Sequence, residues 1–276
     1  MCDCGPKGPL ERRYGLCAPT DAISDDLSDA ISTLHSLGVA HCELRTVEGV
    51  PFLELPIERR RQIGALLSRE ALQVALLDTD VGSAALGKPF APQWEVFRAG
   101  LNAAKEVGAS AVRVYSFSMA GASPDEGRDE VIARLARMAE LAAQSGTMLL
   151  VENQPGTYAQ TGVQLGELLV GVNSPALGAA FNPAGFVACK LHPFLIAFMA
   201  GPAKNYVRCL RIRDARLEDG QPVLPDQGNG DLRELISALA ARSYDGFYSL
   251  DPGLDGGAET FCAAYRAFQA IVEALL

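Results

Sequence analysis

The chain has 276 residues, 49% of them hydrophobic, with 24 basic against 33 acidic side chains and a formal net charge of −9. That is ample for one large core, and α/β barrels reach this length as a single domain. The acidic balance argues against nucleic acid, since phosphate contacts need a clustered basic excess, and no apolar run approaches the ~20 residues of a membrane span. The N-terminal MCDCGPKGPLERR is polar and Gly/Pro-rich, so residues 1–12 are expected to form a flexible tail ahead of one domain over 13–276. Cys2 and Cys4 are two possible metal ligands at that end; a tail is the stronger reading. The seven cysteines are odd in number and show no disulfide spacing, and no leader-like apolar segment precedes a cleavage site, which points to a reducing cytoplasm.

Strand-like runs then follow at 14–20, 41–45, 72–80, 110–117, 147–153, 176–182, 207–214 and 246–251. Amphipathic stretches lie between them, among them 25–38, 94–108 and 129–146, each closed by a Gly suited to a helix C-cap. Asp231-x-x-Glu234 reads as a capping-box-like helix start. Strict β/α alternation implies a parallel sheet with right-handed crossovers. Eight repeats favour a closed (β/α)8 TIM barrel over an open sheet, and no GxGxxG follows the first strand.

A barrel of this kind carries its active site at the carboxyl ends of the strands. The polar residues there are Glu43, Arg45, Arg113, Tyr115, Glu152, Gln154, Asn182, Arg211, Arg213 and Asp251. In RCLRIRDARLEDG, residues 208–220, alternation puts Arg211 and Arg213 on the face of Cys209, where a closed core would make charge costly.

From LGVAHCELR through GASAVRVYSF, MLLVENQPGTYAQT, FNPAGFVACKLHPF and LRIRDA to YDGFYSLDPGL, the chain resembles the sugar phosphate isomerase/epimerase family of xylose isomerase-like barrels. The resemblance implies proton transfer next to a carbonyl of a small polyhydroxylated substrate, around a divalent ion of the Mn or Mg type. It places the four ligands at Glu152, Asn182, Arg211 and Asp251. Only Glu152 keeps the family's residue type; Asp is replaced by Asn182, His by Arg211 and Glu by Asp251. Arginine has five donors, no acceptor and a permanent charge, so it cannot ligate a cation. The expectation is therefore a degenerate metal site with no bound metal, in which Arg211 lies between Glu152 and Asp251 and supplies the ion's charge.

If the site is catalytic, Glu152 and Asp251 form the acid/base pair and Arg211 the electrostatic stabiliser, while Asn182, Gln154 and Arg113 orient hydroxyls. Glu43 and Arg45 either pair with each other or bind sugar hydroxyls. Arg213 is read as a rim salt bridge ahead of a substrate contact. His192 and Lys190 are candidates for an anionic substrate group, with a solvated loop as the competing reading. His35 is read as a surface or packing residue and His41 as lying at the barrel bottom. Gly228-Asn229-Gly230 precedes a helix and could hold a phosphate, but Asp226 and Asp231 flank it and favour a plain turn. The alternative function is a non-catalytic sugar-binding or regulatory protein on the same scaffold, and self-association is left open by the resemblance. The AP endonuclease branch of the fold is disfavoured by the few histidines and the missing basic stripe.

Overall fold

Runs such as AVRV and MLLVE are apolar on both faces, which suits strands covered inside and out. In the computed structural model, which describes residues 15–120 and 124–275, eight such runs close into one parallel barrel. They are β1 (Gly15–Pro19), β2 (His41–Leu44), β3 (Gln73–Asp78), β4 (Ala111–Val114), β5 (Met148–Glu152), β6 (Leu177–Phe181), β7 (Val207–Arg211) and β8 (Phe247–Ser249). The order is sequential, and β1 closes the ring by pairing with both β2 and β8. Among the described residues eight α-helices alternate with them: α1 (Leu27–Leu37), α2 (Ile57–Arg69), α3 (Phe90–Val107), α4 (Pro124–Ser145), α5 (Gly162–Val172), α6 (Pro183–Ala188), α7 (Leu232–Ala240) and α8 (Gly257–Ala274). The predicted single (β/α)8 barrel is the observed fold; the tail expected over 1–12, with Cys2 and Cys4, lies outside the described residues.

Local chemistry sets the helix ends. Asp26 accepts the Ser28 and Asp29 amides at the start of α1, and Gly38 ends it in the left-handed region. Thr161 and Gln164 form a reciprocal capping box on α5. The box expected at Asp231 is absent. Asp231 takes a left-handed φ of 51° and makes no side-chain cap bond; its carboxylate accepts the Phe194 amide instead. That contact ties α7 to the π-helical turn Pro193–Met199.

The core has two layers. Most buried apolar residues, among them Leu34, Phe97, Leu135 and Leu210, lie between the strands and the helices. A smaller cluster of Cys17, Ala75, Leu76, Ala111, Leu150, Ala180 and Cys209 fills the lumen. Two register breaks shape that lumen. In β3 the pairing with β2 steps from Val74 to Leu76, so Ala75 is the extra residue; in β7 the pairing with β6 steps from Val207 to Cys209, so Arg208 is extra. Such bulges bend a strand and re-aim its side chains. Among the described residues no helix is long and apolar enough to cross a membrane.

Candidate active site

Arg211 ends β7 with its side chain pointing into the barrel and only 1% of its surface exposed. Four strands supply its partners. Nε and Nη2 donate to Glu152 Oε2 at 3.2 and 3.0 Å, and Nη2 also donates to both oxygens of Asp78 at 3.0 and 3.1 Å. Nη1 donates to Glu43 Oε2 and, at 2.8 Å, to Ser249 Oγ. Every N–H of the guanidinium is engaged. Burial alone would favour its neutral form, but Asp78, Glu152 and Glu43 outweigh burial and keep it charged.

This arrangement corrects the expected geometry. Arg211 contacts Glu152, but its other acidic partners are Glu43 and Asp78, and Asp251 is not among them. Asp251 Oδ2 instead lies 3.1 Å from Arg45 Nη1 and 3.0 Å from Arg213 Nη2, and the Asp251 carbonyl accepts from Arg213 Nε. Arg45 continues to Asp21 at 2.8 Å, so Glu43 and Arg45 do not pair with each other. They belong to two neighbouring networks, one buried and one at the rim. The rim salt bridge expected of Arg213 is present.

A second buried guanidinium supports the first. Arg113 lies 3.1 Å from Asp78 Oδ2 and 3.3 Å from Glu152 Oε2, donates to the Thr79 carbonyl at 2.7 Å, and stacks over the Tyr115 ring at 4.1 Å. Arg113 therefore braces the two carboxylates. Asn182 is similarly committed, donating Nδ2 to Glu152 Oε1 at 2.9 Å and accepting the Gly185 amide at the start of α6. Gln154 is exposed, as is His192 at the start of the turn over 193–199. Lys190 donates to the Leu217 and Glu218 carbonyls. His35 meets the Glu70 carbonyl at 2.8 Å on the outside, and His41 packs edge-on against Phe247 at the barrel bottom.

The buried group holds three carboxylates and two guanidiniums. Burial would raise the Asp78 carboxyl, but Arg113 and Arg211 outweigh it and hold Asp78 far below the carboxylate range. Burial prevails at Glu43, whose carboxyl is pushed upward although Arg211 opposes the shift. Glu43 Oε1 accepts the Cys17 thiol at 3.1 Å. At the rim, burial would raise Asp251, but Arg213 and Arg45 outweigh it and keep it below its ordinary value. The two guanidiniums thus favour the ionised form of Asp251.

The family's divalent ion does not fit this donor set. Arg211 fills one ligand position with cationic N–H groups, Asn182 turns its amide nitrogen to Glu152, and two guanidiniums cover Asp251. No group of three or more His, Cys, Asp or Glu able to hold a metal occurs among the described residues.

Asp78 and Asp21 were not singled out from the sequence. Asp78 opens the polar run Asp78-Thr79-Asp80 after a bulged strand, so simple alternation does not say which of the three faces inward.

The Gly228-Asn229-Gly230 loop is a turn, as the flanking acids suggested. Asp214 fills it, accepting the amides of Ala215, Gly228 and Gly230 at 2.7–2.9 Å. A Cβ at Gly230 would meet Asp214 Oδ1 at 2.7 Å, which explains the glycine there. Asp214→Ala should lower stability by about 3 kcal/mol in urea unfolding, since buried amides lose a charged acceptor. Hydrogen exchange at Gly228 and Gly230 should accelerate; unchanged exchange would show that the carboxylate does not hold the loop.

A cleft of about 500 Å³ opens beside the buried cluster, lined by Arg45, Asp78 and Arg113, by the polar Thr46 and Ser83, and by the apolar Phe52 and Leu53. These features define a TIM barrel whose carboxyl-terminal mouth is built around arginine–carboxylate networks. The profile of the xylose isomerase-like TIM barrel family matches residues 31–264, and the chain belongs to that family. No curated protein sequence matches it. Among solved structures, it is similar to the probable 3-DHS dehydratase AsbF of Bacillus anthracis, with 16% identity, a TM-score of 0.74 and coverage of 92% of this chain and 98% of that one. A D-tagatose 3-epimerase-like protein gives 14% identity and a TM-score of 0.75 over 95% and 98% of the two chains. The IolI protein, solved with a bound zinc atom, gives 16% and 0.75 over 95% and 99%. At these identities the likeness concerns the fold.

Proposed function

We propose that the mouth of the barrel is a metal-free recognition site for a small polyhydroxylated carbonyl compound. The observation that carries this reading is the cleft leading to Arg45, Asp78 and Arg113, where hydroxyl and charged groups face an apolar wall. Sugars present the same mixture of hydroxyl edges and C–H faces, and ligand clefts commonly combine a few fixed polar groups with apolar lining. Arg45 is the cation best placed to meet a ligand, because its side chain is 33% exposed. Recognition ranks above catalysis because Arg211 has no N–H left to offer a substrate oxygen. Neither nucleic acid nor a membrane is a proposed partner, and the buried thiols of Cys17, Cys42 and Cys209 suit a reducing cytoplasm.

A second reading, isomerase- or epimerase-type proton transfer next to the carbonyl, draws on Glu152. Its Oε1 meets the neutral Asn182 amide, while Oε2 faces both guanidiniums. The freer oxygen is the one that would take a substrate proton.

Ligand-observed NMR with a panel of aldoses and ketoses, run in D2O, separates the readings. Recognition predicts saturable binding weakened about tenfold or more by Arg45→Ala, with no deuterium entering next to the carbonyl. Deuterium incorporation that disappears in Glu152→Gln would replace recognition with the second reading. Absence of binding across the panel would defeat both.

A further inference from the structure

The opposite end of the barrel carries a feature that the mouth does not use. Arg208 is the extra residue of the β7 bulge, and its stem lies over Gly178 of β6, where a Cβ would come 2.6 Å from Arg208 Cγ. The bulge and the missing side chain together hold Arg208 beside the lumen. There it edges a cavity of about 450 Å³ whose apolar surface comprises Ala111, Met148, Leu150 and Phe247. Small residues of the lumen layer, Ala111 among them, leave this space open.

A neighbouring cavity of about 230 Å³ shares Arg208 and Asp245 and adds Lys204 and Arg242. None of these three cations forms an ion pair among the described residues. Lys204 donates to the Met199 carbonyl, Arg242 to Asn205 Oδ1 at 3.4 Å, and Arg208 to the Val207 carbonyl at 3.5 Å. Among the described residues, Asp245 is the one carboxylate lining either cavity. Three cations against one acid around adjoining cavities stand out on a chain of net charge −9.

We propose that the amino-terminal end of the barrel holds a second ligand site, separate from the mouth, for a short-chain carboxylate. The apolar arm enters between Ala111, Leu150 and Phe247, and the carboxylate meets the Arg208 guanidinium, whose planar fork suits two carboxylate oxygens. Lys204 and Arg242 add attraction from the adjoining groove. Leu150, 2% exposed, sets the depth of the arm.

The test is titration of the full chain, with isotope-labelled amides, using hexanoate as probe and acetate and hexanol as controls. Hexanoate should saturably shift the amides of Arg208, Gly246 and Phe247. Acetate, which lacks the arm, and hexanol, which lacks the charge, should each bind at least about tenfold more weakly. Arg208→Gln, a change at an exposed side chain, should weaken hexanoate about tenfold with the fold intact. Ala111→Val should weaken hexanoate by filling the floor without touching the cations. Unmoved amides, shifts confined to the Arg45–Asp251 mouth, or equal binding to Arg208→Gln would overturn the proposal.

Discussion

Replacing Arg211 with alanine is expected to lower the unfolding free energy at pH 7 by about 3–5 kcal/mol, the scale for removing one partner of a buried ionic set. The loss arises because Glu43, Asp78 and Glu152 would face one another without the cation their oxygens share. Like charges at close range favour protonation, so their folded-state values should rise above those of the unfolded chain. An acid whose folded value is raised destabilises above that value and is relieved as pH falls through it. The gap between variant and parent should therefore narrow on acidification from pH 7. Three oxygen donors around one vacated position also suit a hard divalent cation. Manganese should raise the melting midpoint of the variant, by an amount equivalent to about 2.7 kcal/mol at a hundredfold excess over its dissociation constant, and leave the parent unmoved. An unchanged midpoint on mutation, or an equal manganese response in the parent, would show that Arg211 does not take the ion's place.

Asp78→Asn should have the next largest effect, because one carboxylate serves two buried guanidiniums. The expected loss at pH 7 is about 3–5 kcal/mol, since the substitution leaves both Arg211 and Arg113 short of a counter-charge. The pH dependence has a definite sign. Asp78 is held far below the ordinary range by Arg113 and Arg211, against burial. Its contribution is complete above the unfolded-chain value near ~4 and is lost as pH falls below it toward the depressed folded value. Denaturant melts of parent and variant should thus differ most above about pH 5 and converge in acid. Parallel curves over the whole range would mean that the Asp78 charge does not stabilise the cluster.

The barrel was legible because eight apolar runs alternate with amphipathic helices, a pattern that one topology satisfies readily. The inward aim of Arg211 followed from its sharing a face with Cys209, and its contact with Glu152 followed from the ligand positions that the family resemblance implied. Its other partners did not follow. A bulge at Ala75 adds a residue to β3, and alternation counted along the sequence cannot register an insertion that only pairing reveals. Asp251 was expected beside Arg211 because family positions were carried across unchanged. The structure gives it to Arg45 and Arg213, whose reach around the rim depends on side-chain length and loop path. The Asp231 box failed for a similar reason: a tertiary demand from the Phe194 amide took the carboxylate that a local rule would have used.

The cation at the centre of the barrel has one consequence for how the molecule is made. A coordinated ion must be acquired after synthesis, can be stripped by a chelator, and can be exchanged for the wrong element. A guanidinium arrives with translation, once per chain, and no competition for trace elements can displace it. The same permanence removes tunability, since Arg211 can neither gain nor lose a ligand nor polarise a bound water. The charge that Arg211 supplies to Glu43, Asp78 and Glu152 is thereby uncoupled from metal supply.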